Sequence, residues 1–267
     1  MKYLDSQKLP QLAAANKEIY QANSPFPHIV LDDFLKNPDE IHNVFPSTDN
    51  FSFYEYKSPF EDKLAFDKIS VFPQAIADVL QELNSPDFLI FLEQLTGIDG
   101  LIPDPYLRGG GIHQTKKNGK LDIHIDFNIH PKLKLDRRLN IIVYLNKNWQ
   151  NEWKGDLQFW EGKKVAGKHI LIKLEKRIYP AFNRLLVFST SEKSYHGHPE
   201  PLDCPENITR NSLALYYYTK DRKDESCEPH STSYVKLPNE DDTLDDLREK
   251  RNQARLNTTM AGNNPPK

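Results

Sequence analysis

Apolar residues in the first hundred positions recur at helical spacing; beyond them the pattern shortens to alternation. Residues 8–23 carry Leu12, Ile19 and a run of alanines before Ser24-Pro25-Phe26-Pro27 intervenes, which predicts a helix and its stop. Residues 28–35 predict a strand and turn, and residues 40–70 show no clear period. Phe72, Ile76, Val79, Leu80 and Leu83 then fall on one helical face. Ser85 suits the cap of a following helix, Pro86 its first turn and Gly97 its end. Phe88, Phe91, Leu92 and Leu95 give that helix an apolar stripe. Both stripes are expected to pack on a core rather than to carry chemistry.

From about residue 106 the period becomes that of strands. Gly109-Gly110-Gly111 leads into a strand at 112–115, and Asn118-Gly119 predicts a hairpin turn over 116–120. Further strands are predicted at 121–127, 139–145, 156–160, 169–174, 185–190 and 211–218. Many short strands with turns between them suggest a sandwich or barrel, including the double-sheet jelly roll. The expected architecture is mainly β with N-terminal helices (α+β): helical support over 1–105 and a jelly-roll core over 106–220, together a single domain over 1–220. There is no internal repeat. The charged stretch after Asp221 predicts a short surface helix at 243–256 within a solvated, partly disordered tail over 221–267.

Composition narrows the setting. A chain of 267 residues with formal charge −3 carries no global basic field for nucleic acid. The N-terminus lacks the apolar run of a signal peptide, and no stretch approaches the length of a membrane-spanning helix. The two cysteines, Cys204 and Cys227, have no paired spacing, which suits a reducing compartment. A cytoplasmic protein without nucleic-acid or membrane partners is expected, and the sequence leaves its oligomeric state open.

The candidate chemistry is concentrated in the β-rich half. His124 and Asp126, in Leu121-Asp122-Ile123-His124-Ile125-Asp126-Phe127, point to one face of a strand while Ile123, Ile125 and Phe127 pack behind. His196 follows in Ser194-Tyr195-His196-Gly197-His198-Pro199. Two histidines and one carboxylate hold one face of a ferrous ion and leave the other open. Arg210 opens a strand whose same face carries Ser212 and Ala214. A buried arginine must be paired, and a dicarboxylate would supply a partner that the guanidinium fork matches. Ser212 and Tyr144 can donate to the same carboxylate. Together these residues point to an oxygenase using iron(II) and 2-oxoglutarate.

His113, His130 and His169 are lone histidines of the kind usually found in hydrogen-bonding roles. His198-Pro199-Glu200 repeats the ligand spacing, but Pro199 favours a turn there; His198 is the alternative third ligand, with His196 preferred. A zinc hydrolase also uses two histidines and a carboxylate, but wants a general base beside a ligand and has no need of Arg210. A non-catalytic, cupin-like module that keeps a metal for structure or sensing has no need of it either. Asp122, Gln114, Asn128 and Trp160 are expected at the mouth of the site.

Several segments carry a family resemblance. They are Gly109 to Gln114, Asp122 to Phe127, Pro131 to Asn140, Tyr144-Leu145-Asn146-Lys147-Asn148-Trp149, Phe182-Asn183-Arg184, Phe188-Ser189-Thr190 and Tyr195 to Pro199. In this order the chain resembles, over roughly residues 24 to 220, the iron(II)/2-oxoglutarate dioxygenases of the prolyl 4-hydroxylase alpha-subunit type. The resemblance implies a double-stranded β-helix core, catalytic iron on His124, Asp126 and His196, and 2-oxoglutarate on Arg210 with help from Tyr144. It implies Fe(II), 2-oxoglutarate and O2, with ascorbate as reductant and succinate and CO2 as coproducts. The substrate would be a peptidyl proline-like side chain, a sugar or glycan, or a metabolite. Two departures stand out: Lys154 replaces a usual glycine, and the segment from His196 to Arg210 is longer, through Cys204-Pro205-Glu206-Asn207. Carbon halogenases of this fold lack the carboxylate ligand, so Asp126 argues for hydroxylation or desaturation.

Overall fold

The computed structural model describes residues 1–49, 51–222 and 228–261; Cys227 lies outside them. The chain begins with α1 (Leu9–Ala22), β1 (His28–Leu31), α2 (Pro38–Asn43), β2 (Tyr54–Ser58), β3 (Glu61–Phe66), α3 (Gln74–Leu83) and α4 (Pro86–Thr96). It continues with β4 (Ile102–Pro103), β5 (Gly111–Thr115), β6 (Lys120–Ile125), β7 (Asp136–Tyr144), β8 (Leu157–Val165) and β9 (Lys168–Ile178). Last come β10 (Arg184–Ser189), β11 (Tyr195–His198), β12 (Arg210–Thr219), β13 (Ser233–Tyr234) and α5 (Asp245–Ala261). The caps of α4 are those its sequence predicts. Ser85 Oγ accepts the Phe88 N–H, and Gly97 closes the helix at φ 75°, a left-handed conformation that costs glycine little. No helix among the described residues is long and apolar enough to cross a membrane.

The antiparallel strands follow the path β1-β10-β7-β12-β5-β3-β6-β11-β8-β9. The path curls back on itself. Phe188 of β10 lies 5.2 Å from Phe159 of β8 and 4.8 Å from His196 of β11, centroid to centroid. The two walls thus face one another as a double-stranded β-helix. Strand alternation decides what each wall presents. Leu139, Ile141 and Val143 of β7 and Leu213, Leu215 and Tyr217 of β12 join the buried cluster formed with α1, α3 and α4. The intervening Asn140, Tyr144, Arg210 and Ser212 turn inward and are also buried.

Three expectations are corrected. The turn at Asn118-Gly119 forms, with the Gly119 N–H on the Lys116 carbonyl at 2.9 Å. Its flanking strands do not pair with each other, because β3 sits between them and bonds to both. Residues 40–70, where no period is visible, hold α2, β2 and β3. Strand β2 is largely exposed and so lacks the half-buried alternation that marks a strand. The segment after Asp221 is not simply a solvated tail. Strand β13 pairs with β6, and Ser231, Tyr234, Val235 and Arg248 are buried. The anchor is tertiary: Asn252 accepts the Tyr234 N–H at 3.0 Å and donates to the Tyr234 carbonyl at 3.1 Å.

Candidate active site

Strands β6 and β11 bring His124 and His196 directly opposite each other, with ring centroids 4.4 Å apart. Asp126 follows just past the end of β6. Its Oδ1 is 3.6 Å from His124 Nε2 and its Oδ2 is 3.3 Å from His196 Nε2. Among the described residues this is the one cluster of three side chains placed to share a metal ion. Behind it Ile123, Ile125, Tyr195 and Val235 pack as a small buried core, so the strand that carries the ligands is held on its reverse side.

Each histidine is set in one tautomer. His124 Nδ1 lies 2.8 Å from the Asp122 carbonyl, and His196 Nδ1 lies 2.8 Å from the Ser194 carbonyl. A carbonyl only accepts, so both Nδ1 atoms carry the proton and both Nε2 lone pairs remain available to a cation. Burial, followed by its neighbour His196, lowers the pKa of His124, which favours the neutral ligand form. Burial alone would raise Asp126, but the Arg137 charge and the two histidines hold it well below the usual carboxylate range. Three such donors fit a ferrous ion: two imidazole nitrogens, one carboxylate oxygen and an open side.

The arginine behind Asp126 was not singled out from the sequence. Arg137 is fully buried, its Nη2 is 3.1 Å from Asp126 Oδ2, and its Nε donates to Asn140 Oδ1 at 2.9 Å. Asn140 Nδ2 in turn donates to Asp126 Oδ2 at 2.7 Å. The guanidinium stacks between Tyr216, 3.4 Å away, and Phe127, 4.5 Å away. Oδ2 is thereby occupied and Oδ1 left toward His124. Simple alternation from Asn140 would turn Arg138 inward, not Arg137. A register shift where β12 crosses this end of β7 places Arg137 opposite Tyr218, and no sequence period signals that shift.

Arg210, Ser212 and Tyr144 lie together as expected. Ser212 is directly across from Tyr144. Arg210 Nη2 donates to the Tyr144 hydroxyl at 3.3 Å, and its Nε to the Gly155 carbonyl at 2.7 Å. Gly155 is required here: a Cβ would meet Leu202 at 2.8 Å and Arg210 at 3.1 Å, at φ +83°. Lys154 beside it also adopts positive φ, 61°, a conformation that strains a residue with a Cβ.

The other expected positions diverge. Asn128 borders a small cavity beside Asp126 and brackets the C-terminal segment, donating to the Glu228 carbonyl and accepting the His230 N–H. Gln114 donates to the Pro46 carbonyl, Asp122 pairs with Lys120, and Trp160 donates to Gln158, so none of these three borders that cavity. His130 faces Asp104 and His169 faces the Tyr195 hydroxyl, away from the triad. His198 ends β11 rather than forming a turn; Glu200 beyond it pairs with Arg177 at the surface. The residues missed from the sequence include Tyr234, whose ring lies 5.9 Å from His124, and His230, paired with Glu192 across the mouth. A larger cavity of about 490 Å³ shares Thr190, Ser191 and Arg222 with the small one and runs toward Tyr20 and Thr96.

The model of the 2OG-Fe(II) oxygenase superfamily matches residues 110–218, a stretch that contains the His-Asp-His triad, Tyr144 and Arg210. Over that stretch the double-stranded β-helix is similar to the 2OG-Fe(II) oxygenase superfamily, and its His-Asp-His triad suits the iron such oxygenases use. Solved structures with a similar fold include three prolyl hydroxylases. The one from Trichoplax adhaerens, in complex with a hypoxia inducible factor oxygen degradation domain peptide fragment, is 17% identical, with 79% of this chain and 91% of that chain covered and a TM-score of 0.47. The Pseudomonas putida prolyl-4-hydroxylase is 14% identical, with 78% and 100% covered and a TM-score of 0.47. A prolyl 4-hydroxylase from Phytophthora capsici is 15% identical, with 97% and 77% covered and a TM-score of 0.49. No curated protein matches the chain.

Proposed function

We propose that this protein is a hydroxylase that oxidises an unactivated C–H bond of a peptidyl or small-molecule substrate, with release of succinate and CO2. His124, Asp126 and His196 would hold Fe(II), and Arg210, Tyr144 and Ser212 would hold the far carboxylate of 2-oxoglutarate. The observation that carries this reading is the pairing of the two sites in one interior. The Nε2 atoms of both histidines face Asp126, and a buried guanidinium with a tyrosine hydroxyl stands on the opposing wall. A metal module or zinc hydrolase has no use for the second site.

When bound, iron(II) with 2-oxoglutarate and dioxygen supplies the oxidising power for the C–H bond. The chain's own residues orient and exclude. Backbone carbonyls fix the tautomers of His124 and His196, Asn140 and Arg137 fix the carboxylate of Asp126, and Arg210 offers a bidentate grip on a carboxylate. Phe159, across from His196, packs with Phe26, Leu186 and Phe188 as an apolar lining beside the ligands. The cavity of about 490 Å³ suits the non-reacting part of a substrate, being in the range of small-molecule sites. A cytoplasmic setting suits ferrous iron and the free thiol of Cys204. Turnover of 2-oxoglutarate to succinate by the Fe(II)-loaded protein, measured against candidate peptides and metabolites, tests the proposal. Succinate formation that Asp126→Ala abolishes supports it; succinate formation that persists in that variant contradicts it.

A further inference from the structure

Behind the metal triad the interior holds two histidines that the mechanism above does not use. His113 of β5 is directly across from Ser212 of β12, on the face that Ser212 shares with Arg210. His198 lies two residues beyond His196 on β11 and so shares its inward face. It is 4% exposed. Strand β11 thus turns His198 into the same interior that Arg210 enters from β12.

The two imidazoles differ in how their polar atoms are satisfied. His113 Nε2 donates to the Gly109 carbonyl at 3.0 Å. His28, His124 and His196 each use Nδ1 on the carbonyl two residues earlier. His198 breaks this pattern: its Nδ1 is buried and has no hydrogen-bond partner among the described residues. A buried polar atom left unpaired is costly. It is understandable where a ligand supplies the missing partner, and the anion this interior is built to take is a dicarboxylate.

We infer that His198 is a cosubstrate-binding residue, whose Nδ1–H donates to a carboxylate oxygen of 2-oxoglutarate in the chamber shared with Arg210. The inference rests on the functional reading above and adds to it a second anchor on the metal-bearing wall. A ligand held from both walls is fixed in orientation as well as in place, as bidentate positioning requires. Substituting this histidine with an apolar residue removes an unpaired donor. It therefore weakens ligand binding without weakening the fold, whereas loss of a structural hydrogen bond weakens both.

The test is calorimetric titration of the Mn(II)-loaded full chain with 2-oxoglutarate, alongside Mn(II) affinity and thermal midpoint, for wild type, His198→Leu, His198→Asn and Arg210→Ala. Asn is included because its Nδ2 can reproduce a donor at the Nδ1 position. His198→Leu is expected to raise the 2-oxoglutarate Kd about tenfold, with Mn(II) affinity and thermal midpoint unchanged or improved, and His198→Asn to recover most of the loss. Wild-type affinity in His198→Leu, with binding lost in Arg210→Ala, would overturn this inference and leave the functional reading standing. A lowered thermal midpoint with unchanged 2-oxoglutarate affinity would also overturn it. No binding by wild type at all would overturn the functional reading and this inference with it.

Discussion

Strands β7 and β12 present two unlike faces. Outward, Leu139, Ile141, Val143, Leu213, Leu215 and Tyr217 pack against the helices in one apolar cluster. Inward, Asn140, Tyr144, Arg210 and Ser212 are equally buried but polar, and each hydrogen bond they make is to a specific partner. The outer face needs only volume and hydrophobicity, which many sequences satisfy. The inner face places a guanidinium and amides where desolvation is expensive, and the fold holds them with pairings that no packing argument demands. A cost of that kind on one face of a strand, absent from the other, marks the face that has been kept for binding.

The contrast can be broken most forcefully at Asp126. Asp126→Ala should abolish turnover and destabilise the chain by about 3–5 kcal/mol, because it leaves the buried Arg137 without its carboxylate. Combining it with Arg137→Leu should restore much of the stability, measured by denaturant unfolding, and none of the activity. On the outer face the reverse is expected. Leu213→Ala should cost about 2–5 kcal/mol in unfolding free energy and leave the 2-oxoglutarate affinity of the folded protein unchanged; a large change in affinity would show that the two faces are not separable.

Acid sharpens the comparison at the mouth. Burial would raise Glu192, but its hydrogen bond to His230 and the nearby Lys164 lower it from 4.5 to about 2. A carboxyl depressed in the folded state adds stability that is present above pH 4.5 and is lost as pH falls toward 2. The contribution is about 1–2 kcal/mol after allowance for partial exposure. Glu192→Gln should flatten that part of the stability–pH profile, and an unaltered profile would show that the Glu192–His230 pair adds nothing. The smallest effect belongs to Tyr144→Phe, which removes one hydroxyl from Arg210. It should weaken 2-oxoglutarate binding by about 1 kcal/mol with little change in unfolding midpoint, as read by titration and melting side by side.

Much of the site was legible because it rests on short-range periodicity. The i, i+2 spacing of His124 and Asp126, and of Arg210 and Ser212, is enough to aim each pair inward once the strands are recognised. The caps of α4 are equally local. What escaped notice depends on long-range pairing. Arg137 reaches Asp126 only through a register shift against β12, and Tyr234 reaches His124 because Asn252 pins β13 to β6 from a distant helix. The insertion of β3 between β5 and β6 is likewise a tertiary choice that the Asn118-Gly119 turn does not reveal. The superfamily match ends at residue 218, so the C-terminal strand beside His124 belongs to the part of this chain outside it.

The central claim is that one interior holds a metal on one wall and a dicarboxylate on the other. Anaerobic titration of the Fe(II)-loaded protein with 2-oxoglutarate, followed in the visible region and repeated with Arg210→Ala, tests it most directly. The account predicts a weak metal-to-ligand charge-transfer band in wild type, saturating with 2-oxoglutarate, and a half-saturation point raised at least about tenfold in the variant. Stoichiometric iron with no band in wild type, or identical titrations of the two proteins, would contradict it.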